Sequence, residues 1–188
     1  MDSFLYFAYG SNMLTERLVA RCKSAKPIGS AYVADHGLEF SKKSKDTSGK
    51  ATLVPRPGNI QYGVLFEISR EDQNKLDSEE GVGAGYERIE DFAIVKTVGD
   101  VKMSVTTYLA EEPQDGLKPF DWYLALVLAG AMQHNLPTSQ ILEIRSTRYS
   151  IDTNAESKGK RKALEALTRA KIPEIQNVFK KADEYASQ

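Results

Sequence analysis

The apolar run Phe4-Leu5-Tyr6-Phe7-Ala8 stops at Tyr9-Gly10-Ser11-Asn12 and gives way at once to a helix-like segment, Met13 to Arg21. A buried strand that turns this sharply into a helix aims several backbone N–H groups at one point. Gly10 lets a ligand approach the backbone, and the helix N-terminus adds partial positive charge. The turn is therefore a site for a carboxylate or a developing oxyanion. It also reads as a plain tight turn with an N-cap, since Ser and Asn are favoured capping residues.

Downstream, the chain is strand-rich first and helical later. Gly29 to Ala34 and Gly37 to Ser41 predict a strand or a bent pair of strands, and the polar stretch Lys42 to Lys50 predicts a loop. Ala51 to Pro55 reads as a short strand ended by Pro55 and Pro57, with a stronger strand from Gln61 to Ile68. Ser69-Arg70-Glu71-Asp72 has the form of a capped helix start, and Gly81 can end that helix in a left-handed cap. Glu87 to Val98 and Val101 to Ala110 predict long strands joined by the two-residue turn Gly99-Asp100. An apolar helix from Phe120 to Gln133 stops at Asn135-Leu136-Pro137, and a short helix runs from Thr138 to about Arg145. This order predicts a mixed, barrel-like α+β domain rather than a doubly wound α/β fold.

The domain is expected to span residues 1–146. Residues 147–188 form a charged helical appendage, dense in charge from Glu156 to Arg169. There Ile172, Ile175, Val178, Phe179, Ala182 and Tyr185 repeat at helical spacing, the stripe by which such a segment docks on its own domain.

Composition narrows the function classes. The 188 residues can bury a core without disulfides or metals. With 25 basic and 26 acidic residues, no electrostatic footprint for nucleic acid or a membrane surface appears. The single cysteine, Cys22, forms no internal disulfide and fits a reducing, cytoplasmic setting. His36, His134 and Cys22 lack the close spacing of metal ligands, and Cys22 reads as a passive thiol. Gly81-Val82-Gly83-Ala84-Gly85 resembles a nucleotide loop, but it follows a helix and precedes a strand, the reverse of the dinucleotide fingerprint. Ser11 lies outside any G-x-S-x-G elbow.

Glu80 stands out among the carboxylates. It sits at the C-terminal end of the Ser69-capped helix, facing the negative end of the helix dipole among acidic neighbours. Both effects disfavour ionisation, which suits a general base near neutral pH. The other reading is a solvated acidic helix end. Gly83 and Gly85 could fold the following loop over a pocket with Tyr86 as a wall, or serve as a flexible connector.

Taken in order, these landmarks resemble the γ-glutamylcyclotransferase family over about Asp2 to Arg145. Phe4 through Arg17 is similar to the family's N-terminal signature almost residue for residue. Leu76-Asp77-Ser78-Glu79-Glu80-Gly81-Val82 is similar to the segment holding its catalytic glutamate, which places that role on Glu80. Tyr108-Leu109 is similar to a Tyr-Leu pair on a family strand near the pocket, and Tyr123 matches a substrate-contacting tyrosine. The resemblance implies a small, mostly antiparallel β-barrel with peripheral helices, no metal or other cofactor, and cytosolic release of 5-oxoproline. It implies substrate contacts from Tyr6, Phe7, Ala8, Tyr9, Gly10, Ser11 and Asn12, and from Tyr86, Tyr108 and Tyr123. Its partner is a small γ-glutamyl molecule, with a homodimer left open. The loop Gly83 to Arg88 follows a pattern of bacterial and uncharacterised relatives more than of animal enzymes, and the tail after Ser146 has no counterpart. Glutathione-specific relatives usually carry an apolar residue where this chain has Asn12, which argues against glutathione as the main substrate.

Such chemistry needs a base for an ammonium proton, an acid for a departing amine, and donors for a carboxylate or oxyanion. One carboxylate between the two nitrogens can fill both proton roles. Two other classes compete: a binding module that keeps the pocket without turnover, and an interaction protein working through an exposed apolar stripe on the tail.

Overall fold

The computed structural model describes residues 2–172 and Ile175. Of the tail stripe, Val178, Phe179, Ala182 and Tyr185 lie outside the described residues. Strand β1 (Ser3–Ala8) pairs antiparallel with β3 (Gly49–Ser69) along its whole length, from Ser3↔Ser69 to Ala8↔Val64. It also meets β5 (Val101–Ala110) in parallel at Tyr6↔Thr106, so the order β1-β3-β2-β4-β5 closes on itself. All other neighbouring pairs are antiparallel. Phe4, Tyr6, Phe7 and Ala8 are all buried, because β1 is covered on both faces, and that is why its sequence does not alternate.

Two expectations about the strands are corrected. Strand β2 (Lys26–Lys43) is one bent strand, and Pro55 and Pro57 lie inside the single long strand β3 without ending it. The register jumps from His36↔Pro55 to Ala34↔Ile60, so Pro55 borders a bulge and Pro57 lies within it, where the ladder asks nothing of a missing N–H. The polar stretch from Lys42 shrinks to a turn over 44–48, since Lys42↔Lys50 and Lys43↔Gly49 are paired. Likewise β4 (Tyr86–Lys96) and β5 end their ladder at Lys96↔Val101, so their turn takes four residues, 97–100, instead of two. Gly99 and Asp100 both adopt positive φ there, 83° and 49°.

Ser11–Met13 forms a single 3-10 turn, and helix α1 (Thr15–Arg21) begins only after an extended Leu14. No side chain caps either start. Helix α2 (Gln73–Glu80) is entered through Ser69, whose hydroxyl accepts from the Glu71 amide, and is closed by a left-handed Gly81. Asp72 does not complete the reciprocal cap; its carboxylate takes the Ser24 amide and hydroxyl.

Helix α3 (Asp121–Gln133) is buried from Trp122 to Ala131 on every side, the mark of a central helix. It presses against the 3-10 turn at Gly130, where a Cβ would come within 2.5 Å of the Leu14 nitrogen. Helix α4 (Thr138–Arg145) follows. Helix α5 (Lys158–Ala170) lies on α1 and α3 and buries Ala163 and Ala166, while Leu164 faces outward. The preceding segment is tied down by Trp122 Nε1, which donates to Asp152 Oδ2 at 2.8 Å. No helix among the described residues is long and apolar enough to cross a membrane.

Candidate active site

At one end of the closed sheet, Tyr6, Tyr9, Gly10, Ser11, Asn12, Ala51, Glu80, Tyr86, Tyr108 and Tyr123 enclose a pocket. The turn after β1, the last residue of α2, the starts of β3 and β4, β5 and α3 all converge there. Its free volume is about 20 Å³, room for a water. Phe7 and Ala8 are not brought to it. Phe7 points into the core against Phe92, and Ala8 is a fully buried ladder residue opposite Val64. A wider cleft of about 400 Å³ between Phe40, Gln61, Gln140 and Ile144 holds none of the expected residues.

Glu80 is reached across 68 positions by Asn12, whose Nδ2 donates to Oε1 at 2.6 Å. Arg21 Nη1 donates to the same oxygen at 2.9 Å. Among the described residues, nothing donates to Oε2. The carboxylate side chain is 15% exposed. It is therefore anchored through one oxygen and open at the other, in a wall of the pocket. The acidic neighbours are joined by a cation: Arg21 bridges Glu80 and Glu79. Asn12 is fixed in turn, because Arg21 can only donate and so claims its Oδ1 (3.0 Å), leaving Nδ2 for Glu80 and the Tyr6 hydroxyl.

The capping reading of the turn fails for the same reason. Asn12 is spent on Glu80, Tyr6 and Arg21, and the Ser11 hydroxyl accepts from Arg17 Nε at 3.1 Å. The amides of Gly10, Ser11 and Asn12 make no hydrogen bond to any described residue. Gly10 is needed for close approach, because a Cβ there would lie 2.9 Å from the Ala51 Cβ and 3.6 Å from the Tyr123 hydroxyl. The turn that carries these amides thus stands beside the Tyr123 phenol and shares the pocket with the Glu80 carboxylate.

The tyrosines form a fixed, neutral lining. Tyr86 donates to the Ala51 carbonyl at 2.6 Å, Tyr9 to the Tyr108 carbonyl, and Tyr108 to Asp77 Oδ1 at 2.7 Å. Tyr123 instead accepts from the Ala51 amide at 3.1 Å. Burial, with Glu80's negative charge among the lesser causes, pushes all five phenols above their ordinary range. They serve as hydrogen-bonding neutral groups at physiological pH.

Sequence reasoning missed the cations. Arg17 and Arg21 sit four residues apart on α1, a spacing that puts both on one face, yet α1 is too short for its amphipathic pattern to reveal which face. Arg21 meets Glu79 and Glu80, whereas Arg17 has no carboxylate within 4.0 Å among the described residues. Burial and then Arg21 pull Arg17 down to about 9, so it stays charged at neutral pH. Cys22 is buried, and desolvation pushes its thiol up to about 12, far from a nucleophile's range.

Comparison with known proteins gives one family. Residues 61–143 match the model of the AIG2-like family. The gamma-glutamylcyclotransferase of Homo sapiens is 32% identical over 158 residues, 81% of this chain and 81% of that protein. The Bos taurus gamma-glutamylcyclotransferase is 34% identical over 165 residues, 85% of this chain and 84% of that protein. A solved gamma-glutamyl cyclotransferase superposes with a TM-score of 0.77 at 29% identity, covering 87% of this chain and 99% of that one.

Proposed function

The chain belongs to the gamma-glutamylcyclotransferase family, and from that premise we propose that Glu80 carries the proton transfers of a cyclisation yielding 5-oxoproline. The α-amino group of a γ-glutamyl amide attacks its own γ-carbonyl carbon. The new C–N bond closes a five-membered lactam, and the old amide C–N bond breaks to release the amine. The two protons lost by the attacking ammonium end on the departing amine, so one group standing between the two nitrogens can handle both. Glu80 Oε2 is the free proton acceptor, and Arg21 and Asn12 keep Oε1 engaged while it works.

The unclaimed amides of Gly10, Ser11 and Asn12 hold the glutamyl α-carboxylate, with Arg17 behind Ser11 supplying uncompensated positive charge. Tyr123, already accepting from Ala51, has its own proton to offer the reacting carbonyl. Because the reaction is intramolecular, holding the chain curled between these two ends supplies much of the rate. Residues 1–146 form the catalytic unit in this reading, with α5 packed on it. The lone inert Cys22 suits a cytosolic setting.

The observation that carries the assignment is the pairing of a half-free carboxylate with unclaimed amides in one pocket. A panel of γ-glutamyl dipeptides, γ-glutamyl amines and glutathione, assayed for 5-oxoproline, tests it. Release from dipeptides or amines supports the reading. Ligand binding without 5-oxoproline from any member would make the protein a binding module.

A further inference from the structure

Beside the pocket stands a second cation without a counter-ion. Lys42, near the end of β2, places its Nζ 5.0 Å from the ring centroid of Tyr86, a wall of the pocket. Its stem crosses Gly85 so closely that a Cβ there would come 2.8 Å from Lys42 Cε. Gly85 also holds φ at 112°, a region L side chains rarely adopt. The glycine-rich loop after α2 therefore has a concrete use: it clears a path for Lys42 over Tyr86.

No carboxylate lies within 4.0 Å of Lys42 Nζ among the described residues. Lys50, its register partner on β3, makes the contrast: it also lies over aromatic rings, but Asp46 meets it at 3.0 Å. The charges that Lys42 feels are Glu80, Asp46, Glu111 and Lys45, with Glu80 the strongest of them. A half-buried ammonium held near the reacting carboxylate without its own partner is matched by an anion that arrives with the ligand.

Resting on the cyclotransferase reading above, we propose that Lys42 is a specificity-determining residue that binds the carboxylate of the departing amino acid. The nitrogen that Glu80 protonates is two bonds from that carboxylate in any γ-glutamyl amino acid. A cation held over Tyr86, a wall of the pocket that Glu80 also lines, is in place to meet it. The glutamyl α-carboxylate goes to the turn amides and Arg17 on the other wall. Substrates with an acidic leaving group are preferred, and Lys42 is the source of the preference.

The test is steady-state kinetics on γ-glutamylalanine and γ-glutamylethylamine, which differ in that carboxylate. Lys42→Gln is expected to raise KM for γ-glutamylalanine about 3–10-fold, leave γ-glutamylethylamine unchanged, and leave kcat for both unchanged. Lys42→Arg is expected to keep most of the preference. In the unaltered protein, added salt should raise KM for the dipeptide more than for the amine, a readout that needs no variant. Equal changes for both substrates, or none, overturn the assignment to Lys42. If the unaltered protein releases 5-oxoproline from neither, the cyclotransferase reading itself falls.

Discussion

Helix α2 carries two carboxylates three residues apart on one face, Asp77 and Glu80, each beside an arginine and a tyrosine-bearing network. They do opposite things. Asp77 has both oxygens engaged: Tyr108 donates to Oδ1 and Arg88 to Oδ2. Glu80 has both donors crowded onto Oε1 and leaves Oε2 without one among the described residues. A carboxylate with both oxygens engaged ties β4 and β5 to the helix. One with an oxygen free, in a pocket, can take and return a proton. The difference lies in how two donors are shared between the two oxygens, not in how many there are, nor in residue type or local sequence.

The largest effect should come from removing the free oxygen's basicity. Glu80→Gln keeps the shape and the hydrogen bonds to Oε1, and should lower kcat by about 10²–10⁴-fold with ligand affinity little changed. Near-normal turnover would break the comparison at its root. Asp77→Asn should do the converse. It removes the charge that Arg88 meets and weakens the acceptor for Tyr108, so chemical denaturation should show a loss of about 1–3 kcal/mol while folded protein still turns over. A turnover loss matching that of Glu80→Gln would mean that Asp77 also takes part in the chemistry.

The turn and Glu80 were legible in the sequence because both depend on local rules: strand, glycine, helix end. The engagement of both Asp77 oxygens was not, because its partners Arg88 and Tyr108 arrive from β4 and β5. The polar sequence around Lys42 predicts a loop, and nothing local singles out Arg17, since only the tertiary fold shows which cations lack acids. Phe7 and Ala8 lie inside the signature run, but burial on both faces of β1 keeps them in the core. The prolines of β3 misled for a similar reason. Whether a missing N–H ends a strand depends on whether the partner strand asks for it there, and at the bulge it does not.

A subtler comparison lies in how the two carboxylates act on the tyrosines. Burial first, then the Asp77 hydrogen bond and charge, hold Tyr108 neutral well above the usual range, while Glu80 adds a smaller push to all five phenols. Each folded-state value is raised, so the stability these groups contribute is present below their unfolded value of about 10 and is lost as pH rises above it. Alkaline titration followed by phenolate absorbance should show these tyrosines ionising late. In Asp77→Asn, one phenol should ionise distinctly earlier; in Glu80→Gln, several should shift slightly. Identical titration curves for the two variants would show that the carboxylates do not divide the pocket in this way.

Glu79→Gln is the smallest change and the sharpest control. Glu79 neighbours Glu80 in sequence and shares Arg21 with it, at 3.4 Å from Nε, but its side chain is 35% exposed and it does not line the pocket. A partly exposed ion pair of this kind contributes about 0–1 kcal/mol, so the stability loss should fall within that range. Arg21 keeps its Nη1 contacts to Glu80 and Asn12 in the variant, so the anchored oxygen stays anchored. Turnover should therefore remain close to normal. If Glu79→Gln and Glu80→Gln lose equal activity, the helix end acts as an acidic patch holding Arg21, and the open oxygen of Glu80 has no special role. A near-normal Glu79→Gln beside an inactive Glu80→Gln leaves the free Oε2 as the feature that separates the two.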